Sequence, residues 1–478
     1  MAGWTNPLDL IRNEVLQRQD EGCAIPADLL AAIEAIPTES AWDRARIDPL
    51  YDRLEALQQS AAVVAEPNDL EGIRALRPAG PRDLSWRPDE ATLLDRMHGA
   101  WTGRCVGCAL GKPVEMWQRA DIKSFHQGMG AWPMTGYVPA GKVGERTLGP
   151  SGSTRDEIAF MEPDDDIHYT LVGLGVLEKC GPDFTWKDVA SYWAHHIPYG
   201  YICTAETQAV LNYFNNLSRM GTTLGVGLDY TATHRNPYRE WIGAQIRSDG
   251  WAFACAGKPE LAAEFAWRDA SWTHTRTGIY GEMFLAAVQA SAFVESDPRR
   301  LLEIGLSEIP ADCRLARLLR QVPAWCDETV GDDDALLAKI EAGCALISPR
   351  HVAFQTMVFN PGTSAVHTLN NAAICVAAMI RGELDTRRST ILSVALGLDT
   401  DCNGASVGSA CGAAAGQARF DADLARPLND QVRPAILGFQ ETSMRALAER
   451  HAAVWKTVDA WHRGRKSQAS QAVQAAQA

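Results

Sequence analysis

Leucine, isoleucine and valine recur every third or fourth position along most of this chain, the period of helices with one buried face. In "DIHYTLVGLGVLEKCGP", Ile167, Leu171, Leu174 and Val176 or Leu177 fall on one side, and Gly181-Pro182 ends the run. The segments "ELAAEFAWRDASW", "GEMFLAAVQASAFVE" and "RLARLLRQVPAWC" behave alike. The uncharged run "TSAVHTLNNAAICVAAMI" carries Thr, His and Asn, so it reads as a buried helix and not as a membrane span. Alternating β-branched runs bounded by hairpin turns are scarce. The pattern predicts an all-α orthogonal helical bundle.

Residues 1–63 hold three shorter helical patterns, "PLDLIRNEVLQRQ", "PADLLAAIEAI" and "WDRARIDPLYDRLEALQQ", and read as a helical extension. Residues 64–92 are rich in proline and poor in periodicity, a linker or a wrapping arm. The main domain is expected over 93–463, its first helix starting near Asp89. The polar, low-complexity stretch 464–478 reads as a disordered tail.

With 478 residues and 46% apolar composition, the chain can build one large core or two ordinary ones. A formal charge of −14 argues against nucleic acid as a partner, since phosphate binding needs clustered Lys and Arg. The partner expected is a small molecule or a small modifying group. The N-terminus has no basic region followed by an apolar core, so no secretory signal is visible and a cytoplasmic location is expected. The twelve cysteines should then be reduced thiols. Cys105 and Cys108 form a lone C-x-x-C among glycines, and small packing residues are the favoured reading over a redox or zinc pair.

Two acidic clusters stand out. Asp164, Asp165 and Asp166 sit where a helix should begin after Pro163. Only one side chain can occupy an N-cap, so capping leaves two of them unexplained. In "GLDTDCNGASVGSACGAAAG", Asp399 and Asp401 precede glycines at 404, 408, 412 and 416. Each helical glycine costs about 0.8–1.0 kcal/mol against alanine, so such a helix needs close packing in return and should lie deep. Carboxylates at its mouth are expensive unless paired or coordinated. Hard oxygen ligands without a histidine cluster suit Mg²⁺ or Mn²⁺, and four or five acids from two helix starts could hold two such ions.

These residues resemble the ADP-ribosylglycohydrolase family over about residues 93–440. The signposts are "GRCVGCALGKPVE", "PDDDIHYT" and "GLDTDCNGASVGSACGA", in that order. The resemblance implies a compact all-α domain with a two-magnesium centre. It gives ligand roles to Asp164, Asp165, Asp166, Asp399 and Asp401. The family's Thr-Asp-Asp-Thr is Asp164-Asp165-Asp166-Ile167 here, and its Asp-Thr-Asp-Thr is Asp399-Thr400-Asp401-Cys402. Cys402 therefore offers sulfur where relatives offer a hydroxyl, which favours softer ions. Cys108 stands where many relatives have an acid, again pointing to a modified pocket.

The implied activity is metal-dependent hydrolysis of an N- or O-glycosidic bond at ribose C1, with ADP-ribosyl groups as substrate class. Asp165 or Asp166 would take the proton of the attacking water. Glu115 matches a family carboxylate near the substrate. Arg247, Asp249, His274 and Asn371 are candidates to bind it. Trp251, Phe253, Trp272 and Tyr280 could stack on a base, although core packing is favoured, and Asn370 and His195-His196 read as structural. A diphosphate subsite would draw on Lys112, Arg155, Arg247 or Arg276. Two alternatives stay open: a smaller N-riboside on the same site, and a non-catalytic crystallin-like scaffold.

Overall fold

The computed structural model describes residues 3–215, 227–347 and 364–477, and they form an almost wholly helical body. Its only sheet structure among the described residues is two antiparallel hairpins, Gly141–Val143 with Arg146–Leu148 and Gln431–Val432 with Thr442–Ser443. The periodic segments fold as their spacing requires. Helices span Asp165–Cys180, Pro259–Ala270, Thr277–Ala292 and Thr368–Gly382. Gly181 ends the first of these at φ 70°, a conformation only glycine adopts cheaply. The segment "RLARLLRQVPAWC" divides into two short helices, Arg314–Leu319 and Val322–Glu328. Pro323 explains the break, because it fits the first turn of the second helix but could not continue the first.

The centre of the molecule is a pair of antiparallel helices, Glu90–Gly111 and Thr400–Ala415. Gly99, Gly103, Gly107 and Gly111 of one face Gly412, Gly408, Gly404 and Thr400 of the other. At each of these glycines an added Cβ would run into the partner's backbone carbonyl. The four-residue glycine period on both helices therefore lets two backbones touch where side chains would hold them apart. The buried faces of neighbouring helices close around this pair.

The first 63 residues form helices at Pro7–Asp20, Ala27–Glu34 and Arg44–Glu55 that belong to the same core, with Ile11, Val15, Leu29, Ile33 and Ile47 buried. They are tied on by charge as well. Glu14 accepts two hydrogen bonds from Arg239, at 2.9 and 3.0 Å, and Glu21 pairs with Arg239 and Arg276. Residues 64–92 wrap the body: Arg82 bonds Glu308 at 2.7 Å, and Trp86 packs on Phe293 and Trp455. The last helix runs Met444–Gln477 and so includes the stretch from 464 expected to be a disordered tail. Its alanines and glutamines are good helix formers that simply extend a helix already nucleated by packing. No helix among the described residues is long and apolar enough to cross a membrane.

Candidate active site

The glycine contact decides where the acids meet. It brings the end of the Glu90–Gly111 helix against the start of the Thr400–Ala415 helix, and Thr400 Oγ1 donates to the Gly111 carbonyl at 2.8 Å. Four residues later the chain reaches Glu115. There Met116 N donates to Leu398 O at 2.8 Å, and Leu398 N donates to Trp117 O at 2.8 Å. Both Met116 (φ 66°) and Leu398 (φ 72°) are left-handed. Such backbone costs of order 1–3 kcal/mol per residue and persists only where the surroundings hold it. The clamp sets Glu115 beside Asp399 and Asp401, with carboxylate oxygens within 4.8 Å of one another.

The second cluster arrives from the Asp165–Cys180 helix. Asp164 is its N-cap, accepting from Asp166 N at 3.0 Å, and it also pairs with Lys112 at 2.9 Å. The capping explanation thus holds for Asp164 and leaves two acids over. Asp166 is oriented by Arg104, a fully buried arginine on the glycine helix. Its Nη2 donates to Asp166 Oδ1 at 2.9 Å and to Asp166 O at 2.7 Å, while Nη1 donates to Asp249 at 2.8 Å. Asp166 Oδ2 is buried without a hydrogen-bond partner. A carboxylate oxygen of Asp166 lies within 4.8 Å of donor atoms of Asp401 and Cys402, and one lies within 4.8 Å of donor atoms of Asp164 and Cys108.

The two clusters merge on a cavity of about 200 Å³ whose lining includes Glu115, Asp165, Asp399, Asp401, Cys402 and Trp241. Among the described residues no lysine or arginine lines it. The acids accordingly push one another toward the protonated form. The Asp401 charge above all drives the Glu115 carboxyl far up, although Glu115 itself stands exposed at the cavity edge. Burial, then the Asp164 charge, lifts Asp165 to about 8 and Asp401 to about 6. Burial raises Asp399 and Asp166 well above the usual range, and Arg104 only partly offsets it at Asp166. Carboxyls held this way could hold divalent cations, which would supply the missing positive charge and a partner for the buried Asp166 oxygen. The Cys108 and Cys402 sulfurs are driven by burial toward the neutral thiol. Each sulfur lies within 4.8 Å of donor oxygens of two of these aspartates.

Of the residues expected to bind substrate, only Glu115 lines the cavity. Arg247 is buried behind it, bonded to Glu206 at 2.9 Å and to Asp269 at 2.9 Å. Asp249 serves Arg104, and His274 sits against Thr273 at 2.7 Å. Asn371 is fully engaged too. Its Oδ1 accepts from Asn403 at 2.7 Å and from Asp399 N, and its Nδ2 donates to the Ala365 and His367 carbonyls. None of these four lines the cavity. They stand near the motifs in sequence but are buried among neighbouring polar groups, with Asp249 Oδ1 and His274 Nε2 left without a hydrogen-bond partner. Trp251, Phe253, Trp272 and Tyr280 are core, as favoured. Several cavity residues escaped sequence reasoning. Glu206, lifted by burial to about 7 against the pull of Arg247, lines the cavity, as do Trp4, Trp241 and Tyr169. Arg104 lay inside a quoted motif, where a lone arginine between glycines was its only signal.

A solved structure described as an ADP-ribosylglycohydrolase-related protein complex is 21% identical, covers 77% of this chain and 99% of its own, and has a TM-score of 0.47. No curated protein matches the chain. The profile of the ADP-ribosylglycohydrolase family matches residues 89–461, which hold both acidic clusters and the helix pair that joins them. The chain belongs to the ADP-ribosylglycohydrolase family and is a glycosyl hydrolase.

Proposed function

We propose that this protein hydrolyses a glycosidic bond at ribose C1, using divalent cations held by Asp164, Asp165, Asp166, Asp399 and Asp401, with Glu115 beside them. The observation that carries this is the meeting of both acidic clusters on one small cavity with no cationic side chain in its described lining. Two Mg²⁺ or Mn²⁺ ions there would polarise bound oxygens and lower the pKa of water. The chain's own groups divide the remaining work. Arg104 fixes Asp166 for ligation, and the Met116–Leu398 clamp fixes Glu115 against Asp399. Asp165 faces the cavity without an arginine on it, and its carboxylate takes the proton of the attacking water. Trp241, Tyr169 and Met116 keep bulk water from the reacting carbon.

The family's description names ADP-ribosyl groups as the substrate class. One observation favours a second reading, a smaller N-riboside. Lys112 pairs with Asp164, Arg247 with Glu206, and Arg276 with Glu21 and Glu240, and none of these or the exposed Arg155 lines the cavity. A cavity of about 200 Å³ takes a ribose and part of its leaving group. The deciding assay compares kcat/KM for ADP-ribosyl-arginine and ADP-ribosyl-serine with simple N-ribosides, each with added Mg²⁺ or Mn²⁺. A diphosphate that adds at least tenfold supports the family's class. Turnover confined to simple ribosides supports the smaller one. No turnover with any of them, metal present, defeats the proposal.

A further inference from the structure

Trp4 lines the cavity beside Glu115, Asp165 and Trp241, although the family match begins only at residue 89. A loose N-terminal tail could brush a pocket by accident, but this one is fixed on both sides. The Trp4 carbonyl accepts from Gln208 Nε2 at 2.8 Å, on the helix that starts at Thr204 in the cavity wall. Asn6 then caps the Pro7–Asp20 helix, accepting from Leu8 N at 3.0 Å. Buried Glu14 of that helix holds Arg239, two residues before Trp241. The rings are fixed as well. Tyr238, almost fully buried, meets the Trp4 ring edge-on at 5.8 Å and 82°, and the Trp241 ring at 4.8 Å and 58°. One tyrosine thus sets the orientation of both indoles that reach the cavity.

The carboxylate part of the cavity is suited to cations and sugar hydroxyls and offers nothing to a flat apolar ring. The two indoles do, since aromatic faces stack on planar π-systems. We propose that Trp4, supplied by the N-terminal extension, is a specificity-determining residue that stacks, with Trp241, on a planar aromatic ring of the substrate. That ring is either the leaving group at ribose C1 or the adenine of an ADP-ribosyl group. This rests on the glycosidase reading of the preceding subsection and adds a residue that lies outside the family-matched domain.

The test uses the full-length chain and the variants Trp4→Leu, which keeps apolar bulk without a ring, and Trp4→Phe, which keeps a ring. The substrates are p-nitrophenyl riboside, ADP-ribosyl-arginine and methyl riboside. Trp4→Leu should lower kcat/KM about tenfold on p-nitrophenyl riboside if the leaving group is stacked, or on ADP-ribosyl-arginine if adenine is. Methyl riboside should stay within twofold, and Trp4→Phe should recover most of the loss. Equal losses on all three substrates, or none, would overturn the proposal. If the wild-type chain turns over none of them, the glycosidase reading fails while the stacking proposal is still decided by calorimetric titration of the same compounds with Mn²⁺ present. Weaker binding of an aromatic compound to Trp4→Leu alone supports it. Equal affinities, or no binding at all, overturn it.

Discussion

Asp401 is the acid the two clusters share, within ligand distance of Glu115 and Asp399 on one side and of Asp166 and Cys402 on the other. Asp401→Asn removes one oxygen donor and one charge from a crowded set. We expect kcat/KM to fall by more than about 100-fold, since even supporting groups of metal sites cost 10–100-fold in affinity or activity. The metal-free variant should melt at the same temperature or higher, because a mutually repelling charge is gone. A variant that keeps its turnover would show that Asp401 holds nothing the reaction needs. Cys402 gives a subtler test. Its sulfur stands with Asp166 and Asp401, so Mn²⁺ should support activity at least as well as Mg²⁺, and Cys402→Thr should move the preference toward Mg²⁺. Identical metal profiles would place the thiol outside the coordination. The acids themselves were legible in the sequence because adjacent carboxylates need a reason. The arginine that orients one of them was not, since nothing local tells a buried Arg104 from a solvated one.

The glycine helices show how far periodicity carries. Glycines at 404, 408, 412 and 416 were enough to predict a deep, tightly packed helix. Its partner carries the same period at 99, 103, 107 and 111, yet the contact joins residues some three hundred positions apart. Pairing of that kind is tertiary information, and a repeat of period four only hints at it. The consequence is measurable. At Gly408 a methyl group would overlap the Gly103 carbonyl, and neither backbone can move without separating the helices that carry the site. Overpacking usually costs about 1–3 kcal/mol, and here we expect Gly408→Ala to reach at least about 3 kcal/mol in urea unfolding. Gly149, where an added Cβ meets nothing within 4 Å, is the control. Equal stability of Gly408→Ala and Gly149→Ala would mean that the helices do not touch as described.

Taken whole, the molecule is one body in which the extension, the wrapping arm and the family-matched domain share buried charge. Composition and periodicity divide the chain into these three segments. They could not show that the segments interlock, because the ion pairs that join them run between distant positions. Glu240 sits at the join, bonded to Arg314 at 2.8 Å and to Arg276 at 3.1 Å, while Arg314 also binds Glu66 and Arg276 also binds Glu21. Burial pushes the Glu240 carboxyl up, but Arg314 and then Arg276 outweigh it and hold it at about 2. Its folded pKa therefore lies below the unfolded value near 4.5, so the unfolded chain binds more protons between those limits. The stabilisation is fully present above pH 4.5 and fades as the pH falls toward 2, by about 1.4 kcal/mol per unit. Glu240→Gln leaves two buried arginines short of a partner and should cost about 3–5 kcal/mol at pH 7. Below pH 4.5 the unfolded chain takes up a proton at Glu240 that the folded chain does not accept until about pH 2, so the two proteins should converge. Urea unfolding followed by tryptophan fluorescence at pH 7, 5, 4 and 3 measures the gap. The gap should narrow by about 1 kcal/mol at pH 4 and by about 2 kcal/mol at pH 3, and a gap that stays constant down to pH 3 would contradict the assignment. A gap that widens on acidification would contradict the assignment, because it would require Glu240 to hold its proton more tightly in the folded chain than in the unfolded one.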